Sequence, residues 1–203
     1  MESKNGISGT GQKAPNGTPV STPPDPARRP RTGAGGGSAR ALGGFSQGFD
    51  FIVLDTPDQV EWFNKVTTHP QFPDEALSGD QIAPCLVLAI ANKPAYLERY
   101  SRPDKERYGL QKAAAWPVPY WDVDTGMAVM LILLAALEQG LGALFFGLFW
   151  GEDVLLRELD VPDGCRPIGV IALGYPLDAE KFDAARFAAR RRALESMVHF
   201  GRW

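Results

Sequence analysis

Apolar residues follow no period from Met1 to about Gly44, where Gly, Pro, Ser and Thr dominate and Pro23-Pro24, Pro30 and Gly35-Gly36-Gly37 interrupt the chain. Burial cannot offset the ordering entropy of such a segment. Residues 1–43 are therefore expected to be disordered and residues 44–203 to form the folded domain. The pattern changes at Phe49–Leu54, a β-rich run closed by Asp55-Thr56-Pro57. Val60, Phe63 and Val66 then recur at helical spacing, which predicts a helix over Gln59–Val66. A polar loop with His69-Pro70 and Phe72-Pro73 follows. Cys85–Ala91 is a continuous apolar run, as expected of a strand buried on both faces. Lys93–Tyr100 reads as a short surface helix.

Ser101–Pro119 mixes charge, aromatics and prolines and is long for a plain connection, which makes it a candidate substrate-access loop. Tyr96, Tyr100, Lys105 and Tyr108 could line it, or each could stand on a charged surface hairpin. Tyr120–Gln139 is expected to be the central helix, with Asp122, Asp124 and Thr125 favouring its N-terminus through capping and the dipole. The run Met127–Trp150 is nearly all apolar and long enough to cross a bilayer. Glu138-Gln139, then Gly140 and Gly142, instead end a helix before a short strand at Ala143–Phe146. Glu152–Leu159 is expected to be helical, Val161-Pro162-Asp163-Gly164 a turn, and Pro167–Gly174 a last core strand. Strands interleaved with helices, without a Gly-rich fingerprint at a strand-to-helix turn, predict a mixed α+β fold rather than a dinucleotide-binding one.

Composition narrows the function classes. The net charge of −3 and the acidic pI of 5.4 argue against a nucleic-acid footprint over the whole surface. Cys85 and Cys165 are the only cysteines and form no Cys-x-x-Cys, and His69 and His199 are the only histidines. Neither a disulfide framework nor a metal site is supported. Cys85 lies in an apolar run and reads as a buried small hydrophobe, not a reactive thiolate. The polar opening Met1–Gly6 lacks the apolar stretch of a secretory signal, so a cytoplasmic, membrane-free setting is expected.

Four segments together carry more than any one alone. They are Gly43-Gly44-Phe45-Ser46-Gln47-Gly48-Phe49, Trp116–Ala128, Gly140-Leu141-Gly142-Ala143-Leu144-Phe145-Phe146-Gly147, and the ending Arg191-Arg192-Ala193-Leu194-Glu195 with Val198–Trp203. In order and distance they resemble the nitroreductase family over roughly Leu42–Trp203. That resemblance implies an α+β nitroreductase-like fold, with a mixed or antiparallel central sheet flanked by helices, and a homodimer joined along a long interface helix. It also implies FMN in a cleft at each subunit boundary, reduced by NAD(P)H and reoxidised by a nitroaromatic, quinone or similar electrophile. The chemistry is then the flavin's, and no side chain need act as nucleophile.

By the same resemblance, Gln47 hydrogen-bonds the flavin or its ribityl chain with Ser46 beside it. Phe146 and Gly147 present backbone N–H groups near flavin N5, where a bare chain can come close. Arg191, flanked by Arg190 and Arg192, pairs with the FMN phosphate, since guanidinium forks match phosphate oxygens. From the residues alone, Ser46-Gln47-Gly48 could equally be a polar turn, Phe146 core packing, and the arginines a solvated helix face. The chain departs from the family in two places. Phe45 stands where the family has Asn, and nothing between Met1 and Leu42 reproduces its Arg-Arg-Ser-x-Arg-like start; Arg28, Arg29, Arg31 and Arg40 are the only arginines there. Two alternatives stand beside a reductase of this kind, the second of them made plausible by the missing Arg-rich start. One is a related flavoenzyme with another substrate; the other is a non-catalytic dimeric scaffold or flavin-sequestering protein.

Overall fold

The structure, a computed structural model, describes residues 20–21, 43–69, 71, 83–176, 188 and 190–203. They fall into two compact units, residues 16–177 and a unit of residues 1–15 and 178–203. Of the N-terminal stretch expected to be disordered, residues 1–19 and 22–42 lie outside the described residues. Val20–Ser21 forms a two-residue strand, β1.

The larger unit is built on a sheet whose pairings are all antiparallel. Its strands after β1 are β2 (Phe49–Leu54), β3 (Cys85–Asn92), β4 (Gly142–Phe146) and β5 (Cys165–Pro176). β3 lies between β2 and β5, while β4 and β1 pair with successive stretches along the other side of β5. Side chains alternate across this sheet with a period of two. Cys85, Val87, Ala89, Ile171 and Leu173 face one way, and Leu86, Leu88, Ile90, Val170 and Ala172 the other. Both sets are buried, which is why β3 reads as an unbroken apolar run.

Helices cover both faces. α1 (Pro57–Thr67) and α5 (Glu152–Glu158) place Val60, Phe63 and Leu155 on the Leu88 side. α4 (Tyr120–Glu138) places Val129 and Ala136 on the Val87 side, joined by the half-buried Ile132 and Leu133. α4 has the length and hydropathy of a membrane span. It nevertheless packs one face on the sheet and turns through Gln139-Gly140 into β4, as the Glu-Gln-Gly signal predicts. The helix start differs from expectation in its cap, since Pro119 is the N-cap and no side chain caps it, although Asp122 does stand in the first turn as the dipole favours. Asp122 instead pairs with Arg166 at 2.6 Å, and Thr125 donates to the Trp121 carbonyl at 2.5 Å. Asp124 is buried and bonded to other elements.

The expected access loop is anchored. After α2 (Lys93–Tyr100) come α3 (Pro103–Glu106) and a 3₁₀ turn at Ala113–Ala115. Trp116 then packs edge-on against Tyr96, Tyr100, Tyr120 and Trp121, with its Nε1 donating to the Leu110 carbonyl at 2.9 Å. Tyr96 and Tyr100 are buried in this cluster and do not line an open loop, because α2 packs its aromatic face inward. Lys105 lies over the Tyr100 and Tyr108 rings, and Tyr108 is exposed.

In the smaller unit, residues 190–203 are exposed throughout. They include a 3₁₀ turn at Leu194–Ser196 and a contact between the His199 and Trp203 rings at 4.4 Å.

Candidate functional site

The turn before β2 is where the most specific sequence prediction falls. Gly43–Phe45 forms a 3₁₀ turn, closed by Ser46 N–H donating to the Gly43 carbonyl at 3.1 Å. The Ser46 hydroxyl donates to the same carbonyl at 2.6 Å, so its proton serves the turn. Phe45 and Gln47 both have left-handed backbone conformations, with φ of 55° and 50°. Non-glycine residues adopt this region at a cost of about 1–3 kcal/mol each, so such a turn persists only where its surroundings over-determine it. The Gln47 side chain is exposed.

Gly44, Phe45, Ser46 and Gln47 form one wall of an open groove of about 410 Å³. Ala95, Glu98, Arg99 and Arg102, on one face and the end of α2, form the other. Arg99 is held from both sides. Its Nη atoms meet both Asp104 oxygens at 2.9 and 2.7 Å, and its Nε donates to the Gly44 carbonyl at 3.1 Å. Arg102 pairs with Glu98 at 3.2 Å in an exposed i,i+4 bridge, which the solvent weakens.

Phe146 and Gly147 occupy the end of β4. Phe146 pairs with Val170 and packs half-buried on the Leu88 side of the sheet, so the core-packing reading of this residue holds. Gly147 follows it with exposed backbone, and the Phe149 ring lies so close that a Cβ at 147 would come within 3.1 Å of it. Phe49 pairs with Ala91, which faces Arg166. The chain therefore enters β2 and leaves β4 at the same end of the sheet. The two places are three strand spacings apart across it, roughly 14 Å at about 4.8 Å per spacing, and are also offset along the strands, since Phe49 lies level with Arg166 and Phe146 with Val170. Neither Phe146 nor Gly147 lines the Gln47 groove.

Arg190, Arg191 and Arg192 belong to the smaller unit and are exposed. Arg191 N–H donates to the Ala188 carbonyl at 3.2 Å, and the Arg192 guanidinium donates to the Ser196 carbonyl. Within the larger unit the predicted residues thus form two stations, an exposed amide on a strained turn and a bare strand end. A planar, hydrogen-bonding cofactor needs a directed polar side chain at one edge, which Gln47 offers, and side-chain-free backbone at another, which Gly147 offers with the Phe149 ring lying over it.

Sequence reasoning missed the residues that hold the first station. Asp124, only 2 % exposed, accepts from Gly43 N–H at 3.0 Å and from the Tyr96 hydroxyl. The available signal was a second carboxylate, two residues after Asp122, at the start of a largely apolar helix, where burial is uncommon unless the group is paired. Its position near the helix start invited the capping interpretation instead.

The nitroreductase family model matches residues 43–175, from this turn to the end of the sheet core. An Archaeoglobus fulgidus protein with the provisional name NADH dehydrogenase/NAD(P)H nitroreductase is 32 % identical over 95 residues, which are 45 % of this chain and 52 % of that protein. The match thus spans about half the length of that curated relative. Among solved structures, a nitroreductase family protein from Streptococcus pneumoniae superposes with a TM-score of 0.67 at 16 % identity, covering 92 % of this chain and 96 % of its own. A nitroreductase-like protein from Streptococcus mutans gives 0.65 at 15 %, covering 92 % and 94 %. At these identities the two structures speak for the fold.

Proposed function

This chain belongs to the nitroreductase family, and from that premise we propose that it is an FMN-dependent oxidoreductase. It would draw electrons from NADH or NADPH and deliver them to a nitroaromatic, quinone or similar electrophile. When bound, FMN supplies the reversible hydride chemistry, and the protein supplies position and electrostatics. Gln47, with Ser46 shaping its turn, would hydrogen-bond the flavin. The backbone of Phe146 and Gly147 would approach the ring edge, where N–H donors favour the reduced form. Arg190, Arg191 and Arg192 would meet the phosphate.

The observation that carries this reading is the turn at Gln47: an exposed amide on a strained, multiply anchored backbone beside an open groove. Strain of this kind gathers at ligand-binding sites, where it preorganises a contact. The separation of the Gln47 and Gly147 stations supports a homodimer, in which each chain contributes one station to a shared cleft. The exposed apolar face of α4 is the surface such a dimer would bury. Two buried, free cysteines are consistent with a cytoplasmic protein.

A second reading is favoured by Phe45, which puts an exposed apolar ring where the family has an amide. It is a dimeric scaffold or flavin-sequestering protein without turnover. One experiment separates the two. The purified chain is incubated with FMN and desalted, its absorbance is recorded from about 300 to 550 nm, and NADH or NADPH is added without oxygen. The reductase reading expects a retained flavin band that bleaches. A retained band that does not bleach with either nucleotide favours sequestration, and a colourless protein removes the flavin function altogether.

A further inference from the structure

The left-handed turn at Gly43–Gln47 raises a physical question: what balances its strain. Two non-glycine residues, Phe45 and Gln47, sit in this disfavoured backbone region. Local bonds within the turn, from the Ser46 N–H and hydroxyl to the Gly43 carbonyl, do not by themselves tie it to the domain.

Three ties come from outside. Asn92 N–H, at the end of β3, donates to the Gly48 carbonyl at 2.9 Å. Arg99, clamped by Asp104, donates to the Gly44 carbonyl at 3.1 Å. Asp124 Oδ2 accepts from Gly43 N–H at 3.0 Å and from the Tyr96 hydroxyl, so one buried oxygen joins α4, α2 and the turn. The Tyr96 ring also seats the far end of the turn, for a Cβ at Gly48 would collide with it. Tyr96 is fully buried and Asp124 nearly so.

Asp124 is costly in that place. Aspartate is a weak helix former, and a carboxylate taken from water must be compensated by hydrogen bonds. An apolar residue would suit the packing of α4 better, and the bonds that repay the carboxylate reach the turn and the side chain beneath it. Burial above all, and the hydrogen bond to Asp124 after it, push the Tyr96 phenol well above its ordinary range, so it remains a protonated donor.

We propose that Asp124 and Tyr96 are a positioning pair that holds the Gly43–Gln47 turn in its left-handed conformation and thereby presets Gln47 for the flavin. The second half of this statement rests on the FMN reading above; the first half does not. Neither residue need touch the cofactor. They act through the turn, and their removal loosens the turn before it loosens the sheet.

The test uses the full chain and two readouts. Hydrogen–deuterium exchange of the FMN-free protein reports the turn, and quenching of flavin fluorescence on titration reports FMN affinity. Tyr96→Phe keeps the ring and deletes the hydroxyl, whereas Asp124→Ala deletes both acceptor bonds and Asp124→Asn keeps one acceptor oxygen. In Tyr96→Phe, exchange over residues 43–48 is expected to rise about ten-fold or more while β3 and β5 stay at wild-type rates. FMN dissociation constants are expected to rise about five-fold or more, with Asp124→Asn recovering part of what Asp124→Ala loses. Turn exchange within two-fold of wild type in Tyr96→Phe overturns the anchor. So does a rise shared equally by β3 and β5, which would mark the pair as ordinary core. Local loosening with unchanged FMN affinity overturns the positioning role. If the wild-type chain binds no FMN, the FMN reading fails, and the exchange data alone decide whether the pair anchors the turn.

Discussion

Cys85 begins β3 with its side chain in the core, and its thiol is pushed up to about 11, by burial first and by the nearby Asp55 charge second. The folded state holds this proton more tightly than the unfolded chain, whose thiol titrates near 9.0. Its contribution to stability is therefore whole below about pH 9 and is lost as pH rises through about 11. Urea unfolding at pH 8 and pH 10.5 should show the wild type losing on the order of 2 kcal/mol more than Cys85→Ala over that interval. Equal losses in the two proteins would mean that the thiol is not held protonated by the fold. The inert, buried character of Cys85 was legible in its apolar neighbours. The roles of Tyr96 and Asp124 were not, because their partners lie 28 and 81 residues from Asp124 in the chain.

At the scale of elements, α1 starts where Thr56 accepts from Gln59 N–H while the Gln59 side chain returns to the Thr56 N–H. This reciprocal cap, with Pro57 at the first helical position, satisfies donors that the first turn leaves open. Thr56→Ala should lower unfolding stability by about 1 kcal/mol, and Thr56→Ser should restore most of it. A loss below a few tenths of a kcal/mol in urea titration would show that the cap is idle. β2, β3, α2 and α4 appear within a residue or two of where periodicity puts them. β5 begins earlier than its apolar run predicts, at Cys165, because Cys165 and Arg166 pair through their backbones with Asn92 and Ala91. Ladder bonds extend a strand without regard to side-chain polarity.

At the scale of the whole molecule, α4 leaves Val123, Met127, Met130, Leu131 and Leu134 between 39 % and 54 % exposed along one helical stripe. A contiguous stripe of this kind, opposite the face packed on the sheet, is what a second copy would cover. The wild-type chain should therefore run as a dimer in light scattering at micromolar concentration. Met130→Glu with Leu134→Glu should run as a monomer with an unchanged far-ultraviolet circular dichroism spectrum. A monomeric wild type would remove the dimer and, with it, the shared cleft.

Apolar periodicity, turn residues and caps are local quantities, and they were enough to place strands β2 to β5, the helices that cover them and the long apolar helix, while four short motifs carried the family resemblance. The family resemblance, rather than these local quantities, singled out Gln47 and Gly147. What only the tertiary structure decided was which distant groups meet: a carboxylate from α4, a phenol from α2 and a backbone N–H from the turn before β2. Helical and strand periods say which face a residue lies on, but not what another element will bring against it. A buried polar group has its purpose defined by that partner, and packing alone chooses the partner.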